Sequence, residues 1–321
     1  MDEKSIINLI IKKLGHPTLP VSKIGDDVAV IPFENESLVI TSDMLVFTTD
    51  VPPGMNLAQV ARKSIVMSIS DLASKGVIPY GALISLGLMR SMKRVELESL
   101  LRGFSSASND FGVKIVGGDV NETNELIISC SMFGFSNKIV KRSGAHIKES
   151  VVVSGPFGFP ASGIKILLEN ARAEKRFKTD ALNSLYMPTP PLALGIELSK
   201  NDIPTSSIDS SDGLAISLYE ISEQSEVSII IDHIPVPDSV AQFAKMNNLR
   251  VDDLVLYGGE EYEIVWTIPN EKLELANQIA KKMGKQLIPI GHTLSKPLGS
   301  VYFKRGGKNK RMERKGWMHF K

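Results

Sequence analysis

The sequence predicts an α+β protein of two domains, and three observations carry the prediction. The chain has 321 residues, about twice the roughly 150 residues of a common domain. Short apolar runs of β type alternate with amphipathic stretches of helical period along its length. The alternation restarts after Arg142, which places the boundary within residues 140–150 and gives domains of 1–145 and 146–321.

Ile6, Ile7, Ile10, Ile11 and Leu14 have helical spacing, with Gly15 and Pro17 as the stop, so residues 5–14 form an amphipathic helix. Strands are expected at 28–31, 38–41, 83–88, 114–116 and 126–135, with helices at about 56–75 and 95–111. The second domain should open with a strand at 151–154 and a helix near 161–171. A polar segment, a Pro-rich stretch and a helix to Lys200 follow. After them come strands at 206–208, 227–231, 263–268, 287–290 and 301–303, and helices at 212–224 and 271–284. The polar stretches 42–56 and 232–260 read as long loops, which at that length tend to carry function. Residues 304–321 hold eight basic residues and one acidic one around a Gly306–Gly307 turn, either a solvated basic hairpin or a phosphate-binding rim.

Composition removes several classes. Hydrophobic residues make up 43% and charged residues 23%, as in packed globular proteins. With 37 basic and 36 acidic residues the net charge is +1, so no bulk attraction to nucleic acid or a membrane surface is expected. The single cysteine, Cys130, excludes an intrachain disulfide and multi-cysteine metal sites. The N-terminus does not read as a signal peptide and no run approaches 18 apolar residues, so a cytoplasmic protein is expected.

The chemistry lies in short acidic motifs beside Gly or Ser: Gly25-Asp26-Asp27, Thr41-Ser42-Asp43, Ser70-Asp71, Gly117-Gly118-Asp119, Asp209-Ser210-Ser211-Asp212-Gly213 and Gly258-Gly259-Glu260-Glu261. Any one of them could be a cap or a turn. Their number in one chain favours a shared site. On the 56–75 helix, Ser64, Ser68, Asp71 and Lys75 form a polar stripe opposite a wide apolar face. Converging carboxylates repel by roughly 4 kcal/mol per pair at 4 Å and an effective dielectric of 20. Divalent cations remove that cost, and an oxygen-only donor set selects a hard ion such as Mg²⁺, which commonly shares its shell with phosphate. The chain has no GxxxxGK[ST] loop and no kinase HRD or DFG set. Phosphates would then be held by metals, backbone amides and a few cations, with Arg142 either a clamp or a surface arginine.

GDDVAVI (25–31), TSDML (41–45), SISDLASKG (68–76), VGGDVNET (116–123), RSGA (142–145), IDSSDGL (208–214) and GGEEYE (258–263) occur in that order. In order and spacing they resemble the thiamine-monophosphate kinases, within a superfamily that includes AIR synthase, selenophosphate synthetase and the hydrogenase-maturation dehydratase. The likeness runs from about residue 24 to the terminal KGWMHF (315–320), and TDVPPGM (49–55) is similar to the archaeal branch.

The resemblance implies an AIR-synthase-like architecture, with an N-terminal domain forming a barrel with a dimer mate and a C-terminal α/β domain covering it. It implies transfer of the γ-phosphoryl group of ATP to thiamine monophosphate. Carried over by motif, Asp27, Thr41, Ser42, Asp43, Asp71, Asp119, Asp209 and Asp212 are metal positions, with Asp43, Asp71 and Asp119 nearest the chemistry. Gly118, Asp119, Arg142 and Ser211 are nucleotide positions. Asp50, Glu260 and Trp317 are substrate positions, Trp317 as an aromatic face for the thiamine rings or, on the plain reading, a packing anchor. Three places depart from the common pattern: Asp50 stands where many relatives have histidine, Lys148-Glu149 replaces Gly-Asp, and Val120-Asn121-Glu122 replaces Thr-Thr-Arg.

Two other functions compete. The first is another ATP-using member of the superfamily, although the chain lacks the N-terminal or C-terminal reactive cysteine that two of those members need. The second is a non-catalytic nucleotide-binding or RNA-binding protein using the basic end, for which binding would depend steeply on salt.

Overall fold

The computed structural model describes residues 2–15, 17, 24–295 and 297–320. Lys321, the last residue of the expected basic end, lies outside them. The first part of the chain runs α1 (Glu3–Leu14), β1 (Ala29–Phe33), β2 (Glu36–Val46), a one-turn α2 (Phe47–Asp50), α3 (Leu57–Lys75), β3 (Ile78–Leu88), α4 (Arg94–Phe111), β4 (Lys114–Glu122) and β5 (Ile127–Ser136). Its strands form one sheet in the order β1-β2-β5-β3-β4, antiparallel except for the β3/β4 pair.

The second part runs β6 (Ser150–Val153), α5 (Phe159–Leu168), α6 (Lys175–Tyr186), α7 (Leu192–Lys200), β7 (Ser206–Ser210), α8 (Leu214–Gln224), β8 (Ser228–Ile231), α9 (Asp238–Met246), α10 (Val251–Val255), β9 (Glu263–Ile268), α11 (Leu273–Lys282), β10 (Ile288–Leu294), β11 (Val301–Arg305) and β12 (Lys308–Arg311). Its strands make a second sheet in the order β12-β11-β8-β10-β6-β9-β7. The basic end does form a hairpin, β11 against β12 across Gly306–Gly307.

Two expectations need correction. Residues 42–46 are not loop but the second half of β2, because Thr41, Asp43 and Leu45 alternate with Ser42 and Met44 across a sheet whose inner face is covered. The 232–260 stretch contains α9 and α10, which bury Val240, Phe243, Ala244, Leu254 and Val255.

α3 is the centre of the molecule. It starts in a capping box, Asn56 with Gln59, and ends at Gly76. It packs on β2 and β5 on one side and on β7 and β9 on the other, so it is wedged between the two sheets and buried almost all round. Its neighbours come unusually close: a Cβ on Gly103 of α4 would lie 2.0 Å from the Ala58 carbonyl oxygen, and one on Gly195 of α7 would lie 2.1 Å from that of Ala73. A helix held this way brings its polar stripe against residues from both sheets.

Among the described residues nothing covers the opposite face of the five-stranded sheet, which is apolar. Met44, Ile78, Tyr80, Leu83 and Val116 are exposed there, and the rings of Phe33, Tyr80, Phe133 and Phe135 contact one another.

Candidate active site

Four aspartates meet where α3 crosses between the sheets. Asp43 points inward from β2, Asp71 lies on α3, Asp209 sits near the end of β7, and Asp27 comes from the segment before β1. One carboxylate oxygen each of Asp27, Asp71 and Asp209 lies within 4.8 Å of the others. Hydroxyls orient them: Ser68 Oγ donates to Asp43 at 2.6 Å, Ser70 Oγ to Asp209 at 2.8 Å, and Thr41 Oγ1 to Asp71.

Electrostatics separates Asp27 from the rest. Burial alone would raise its carboxyl, but the Lys75 ammonium and the Arg142 guanidinium outweigh that and hold it below its ordinary value. Burial pushes Asp71 well above the ordinary carboxylate range, reinforced by the charges of Asp43, Asp209 and Asp27. Asp43 is raised by burial and by Asp27. Asp209 is pushed up to about 7 by burial and by Asp27, and Asp212 up to about 6 by burial, Glu3 and Glu260. Buried carboxylates that must share a site call for a cation. The donors are all oxygen, the spacing lets one ion touch three carboxylates, and the set therefore fits a hard divalent ion such as Mg²⁺.

The cluster lies at the bottom of a cavity of about 510 Å³. Asp43, Asp71, Asp209, Ser211 and Asp212 line its polar end, while Ile164, Leu168 and Leu185 form an apolar wall and Trp317 and His319 line it from the C-terminal end of the chain. Two features hold its mouth. The Lys63 ammonium on α3 pairs with Glu260 at 2.6 Å and donates to the Asp50 carbonyl oxygen at 2.7 Å, joining the 258–262 turn to the α2 segment. Glu260 and Tyr262 both have positive φ, 70° and 53°, a conformation costly for residues with side chains. The turn is held by bonds from Glu260 N to Ser211 O at 2.7 Å and from Tyr262 N to Ser210 O at 2.9 Å.

The expected residues divide among four settings. Asp27, Asp43, Asp71 and Asp209 come together, with Thr41 bonded to Asp71 and Asp212 close by. Arg142 is not a free clamp in this state: its Nε donates to Asp27 at 2.8 Å and Nη1 lies 3.5 Å from Glu220. Asp50, Glu260 and Trp317 line the cavity, the Asp50 carboxylate accepting from Val46 N at 2.7 Å and Trp317 N donating to Asp212 O at 2.9 Å. Ser42 and Asp119 stand apart. The Ser42 hydroxyl faces the other side of the sheet, 2.9 Å from that of Ser131. Gly118 and Asp119 lie on exposed β4, lining a separate groove against α4 with Leu101, Phe104, Ser105 and Ser108. Lys63, Ser70 and His319 belong to the site but do not figure in the sequence-derived set. Lys63 precedes Asp71 by eight residues, two steps of four on one helix face, and that was its available signal.

This site belongs to a known class. Residues 25–136 match the family described as AIR synthase related protein, N-terminal domain. Over its full length the chain is 35% identical to the thiamine-monophosphate kinase of Nitrosopumilus maritimus, covering 99% of that protein. It is 33% identical to the thiamine-monophosphate kinase of Pyrococcus horikoshii, covering 97% of it. The solved structure of AaThiL complexed with AMPPCP and TMP superposes with a TM-score of 0.87 at 26% identity, covering 99% of this chain and 97% of the other. The chain belongs to the thiamine-monophosphate kinase family.

Proposed function

We propose that the protein transfers the γ-phosphoryl group of ATP to the phosphate of thiamine monophosphate, releasing thiamine diphosphate and ADP. One observation carries the reading: buried carboxylates from both sheets converge on α3 at the base of a single cavity, in a chain alike over its whole length to kinases of this substrate.

The chemistry asks for positioning and charge neutralisation more than for a base. A phosphate monoester has its second pKa near 6, so at neutral pH the acceptor is mostly a dianion and can attack without losing a proton. Asp27, Asp71 and Asp209, with Asp43 and Asp212 alongside, would hold Mg²⁺, which when bound would supply the charge that offsets the transferring phosphoryl group. Asp43 and Asp71 fix the reacting end through their bonds from Ser68 and Thr41. Ser211 and Arg142 adjoin the polar end and are assigned to the nucleotide phosphates. The adenine is assigned to the groove between α4 and β4, beside Gly118 and Asp119. Asp50, Glu260 and Trp317 are assigned to the thiamine end, where the indole face suits the thiazolium cation.

The uncovered apolar face of the five-stranded sheet supports a homodimer, since monomers rarely leave so broad a patch in water. A second copy there would enclose β4, and Asp119 with it. Among the described residues no helix is long and apolar enough to cross a membrane, and the buried lone thiol of Cys130 fits a cytoplasmic enzyme.

A coupled assay of ADP release tests the function. ADP should form with ATP, Mg²⁺ and thiamine monophosphate together, and not when thiamine or an AIR-pathway substrate replaces the monophosphate. Thiamine-dependent formation of the monophosphate would move the protein to another kinase class.

A further inference from the structure

The apolar wall of the cavity belongs to α5 and Glu260 to the turn at 258–262, so the space between them depends on how the helix meets the turn. Ala161, Ile164 and Leu168 follow one another at steps of three and four on one face of α5. Ile164 and Leu168 line the cavity, while Ala161 rests on the turn, where a Cβ on Gly258 would lie 2.5 Å from the Ala161 Cβ and 2.5 Å from the Leu254 carbonyl oxygen. Contact this close leaves the two elements no slack on the apolar side.

The polar side of the joint is one side chain. Glu261 Oε1 accepts from the Gly158 N–H at 2.5 Å, and among the described residues this is the one hydrogen bond between the turn and α5. Gly158 is the N-cap of α5, and its carbonyl oxygen accepts from Ser162 N at 3.0 Å and from Ser162 Oγ at 2.6 Å. A glycine at this position has no side chain with which to fix the entry of the chain into the helix. Glu261 supplies that anchor from outside the helix. It stands between Glu260 and Tyr262, the two residues of the turn held at positive φ, so its bond ties the strained part of the turn to the start of α5. Burial pushes its carboxyl well above the ordinary carboxylate range and the charge of Glu263 adds to this, with the Gly158 bond acting the other way. Gly158 thus needs an oxygen acceptor and not a charge. Glu261 is not among the residues that line the cavity, so any effect it has on a ligand passes through its neighbours.

We propose that Glu261 is a positioning residue for the thiamine end: through the Gly158 amide it fixes the start of α5 against the 258–262 turn, and so sets the separation between the wall of Ile164 and Leu168 and the Glu260 carboxylate. The proposal rests on the reading that the cavity takes thiamine monophosphate. It gives the two adjacent acids of the Gly-Gly-Glu-Glu motif different tasks, Glu260 facing the ligand and Glu261 placing the wall.

The test compares Glu261→Leu, similar in bulk but with no acceptor, with Glu261→Gln, which keeps an oxygen at the same reach and removes the charge. KM for each substrate, kcat, Tm and circular dichroism are measured on both. Glu261→Leu leaves the Gly158 N–H without its partner and should raise the KM for thiamine monophosphate about tenfold, with that for ATP moving by less than about twofold. Its kcat at saturating substrate should fall by less than about threefold, because the carboxylate cluster is untouched. Glu261→Gln should keep both KM values within about twofold of the wild type. Ala161→Gly, which leaves the bond in place and removes the methyl that rests on Gly258, loosens the same joint from the helix side and should raise the KM for thiamine monophosphate alone.

Equal changes of both KM values in Glu261→Leu would overturn the proposal, since general loosening of the fold has no reason to spare ATP. A Glu261→Gln variant as impaired as Glu261→Leu would overturn it too, because the charge would then be what matters. If Glu261→Leu does not fold, Ala161→Gly decides, and an unchanged KM for thiamine monophosphate there refutes the joint. All these outcomes leave the proposed activity standing. A wild-type protein that releases no ADP with thiamine monophosphate would instead sink the functional reading and this proposal with it.

Discussion

Asp71→Asn deletes one charge from the centre of the carboxylate cluster at almost constant volume and leaves an oxygen to accept the Thr41 bond. The Asp71 oxygen lies within 4.8 Å of those of Asp27 and Asp209, so each full charge pair repels by at least about 3.5 kcal/mol at an effective dielectric of 20. That relief is an upper bound, because Lys75 and Arg142 already offset Asp27 and because metal-free Asp71 can take up a proton instead. The sign with pH follows from the raised carboxyl. Below about pH 4 Asp71 is protonated in both the folded and the unfolded chain and contributes nothing. As pH rises the unfolded chain ionises first, so the metal-free fold loses about 1.4 kcal/mol per pH unit from this group until its own carboxyl ionises. Asp209 adds to the loss up to about pH 7. Without metal, Asp71→Asn should match the wild type near pH 4 and exceed it in Tm by a margin that grows as pH rises toward 8. With Mg²⁺ the order reverses: the wild type gains stability, the variant gains little, and its turnover falls at least about 100-fold. Thermal unfolding across pH in EDTA and in Mg²⁺, with turnover measured alongside, decides the matter. A variant with near-normal turnover and a lower metal-free Tm would mean that Asp71 is a structural part of α3.

Two further outcomes concern the mouth of the cavity, and one concerns assembly. Lys63→Met leaves Glu260 without its partner and frees the Asp50 carbonyl. The KM for thiamine monophosphate should rise about tenfold while that for ATP moves by less than about twofold. Equal changes in both constants would deny Lys63 a place at the substrate end. Trp317, half exposed at the cavity, should on change to Ala raise the KM for thiamine monophosphate about tenfold, with partial recovery in Trp317→Phe. A Tm lower by many degrees would make it only an anchor for the tail. Tyr80→Asp on the uncovered sheet face should sediment as a monomer with the circular dichroism of the wild type, and an unchanged dimer would place the interface elsewhere.

The sequence made the order of elements legible because the periodicity of each apolar face is local. It made the terminal hairpin legible because Gly-Gly between basic residues has few other uses. β2 was half hidden: Thr41, Ser42 and Asp43 are polar, and nothing local tells a loop from a strand whose inward residues serve a site. α9 and α10 were hidden because their short apolar faces are interrupted by polar residues such as Gln242 and Asp253. At the site, the carboxylates were visible as motifs but their counter-ions were not. Lysine is almost never fully buried unless paired, so Lys75 read only as a member of the polar stripe and Lys63 was not singled out. Their burial is a property of where α3 lies, between two sheets built from residues far apart in sequence, and no window of the chain contains that fact.

The same geometry explains why the cations are distributed as they are. Lys63, Met67, Asp71 and Lys75 follow one another at steps of four along α3, a single line running from the substrate mouth to the Asp26–Asp27 loop. Lys63 neutralises Glu260 at one end and Lys75 neutralises Asp27 at the other. Among the described residues, the middle, where Asp71 lies with Asp43 and Asp209, has no ion pair to a fixed positive charge. On the proposed reading, phosphate groups come to that middle during transfer and bring more negative charge with them. A permanent ammonium there would be pinned by three carboxylates and could not adjust to a phosphoryl group moving between two oxygens. A divalent ion whose remaining positions are filled by water and substrate oxygens can do so. On that reading fixed cations hold the ends of the line, where geometry must not change, and exchangeable ions would serve the point where it must.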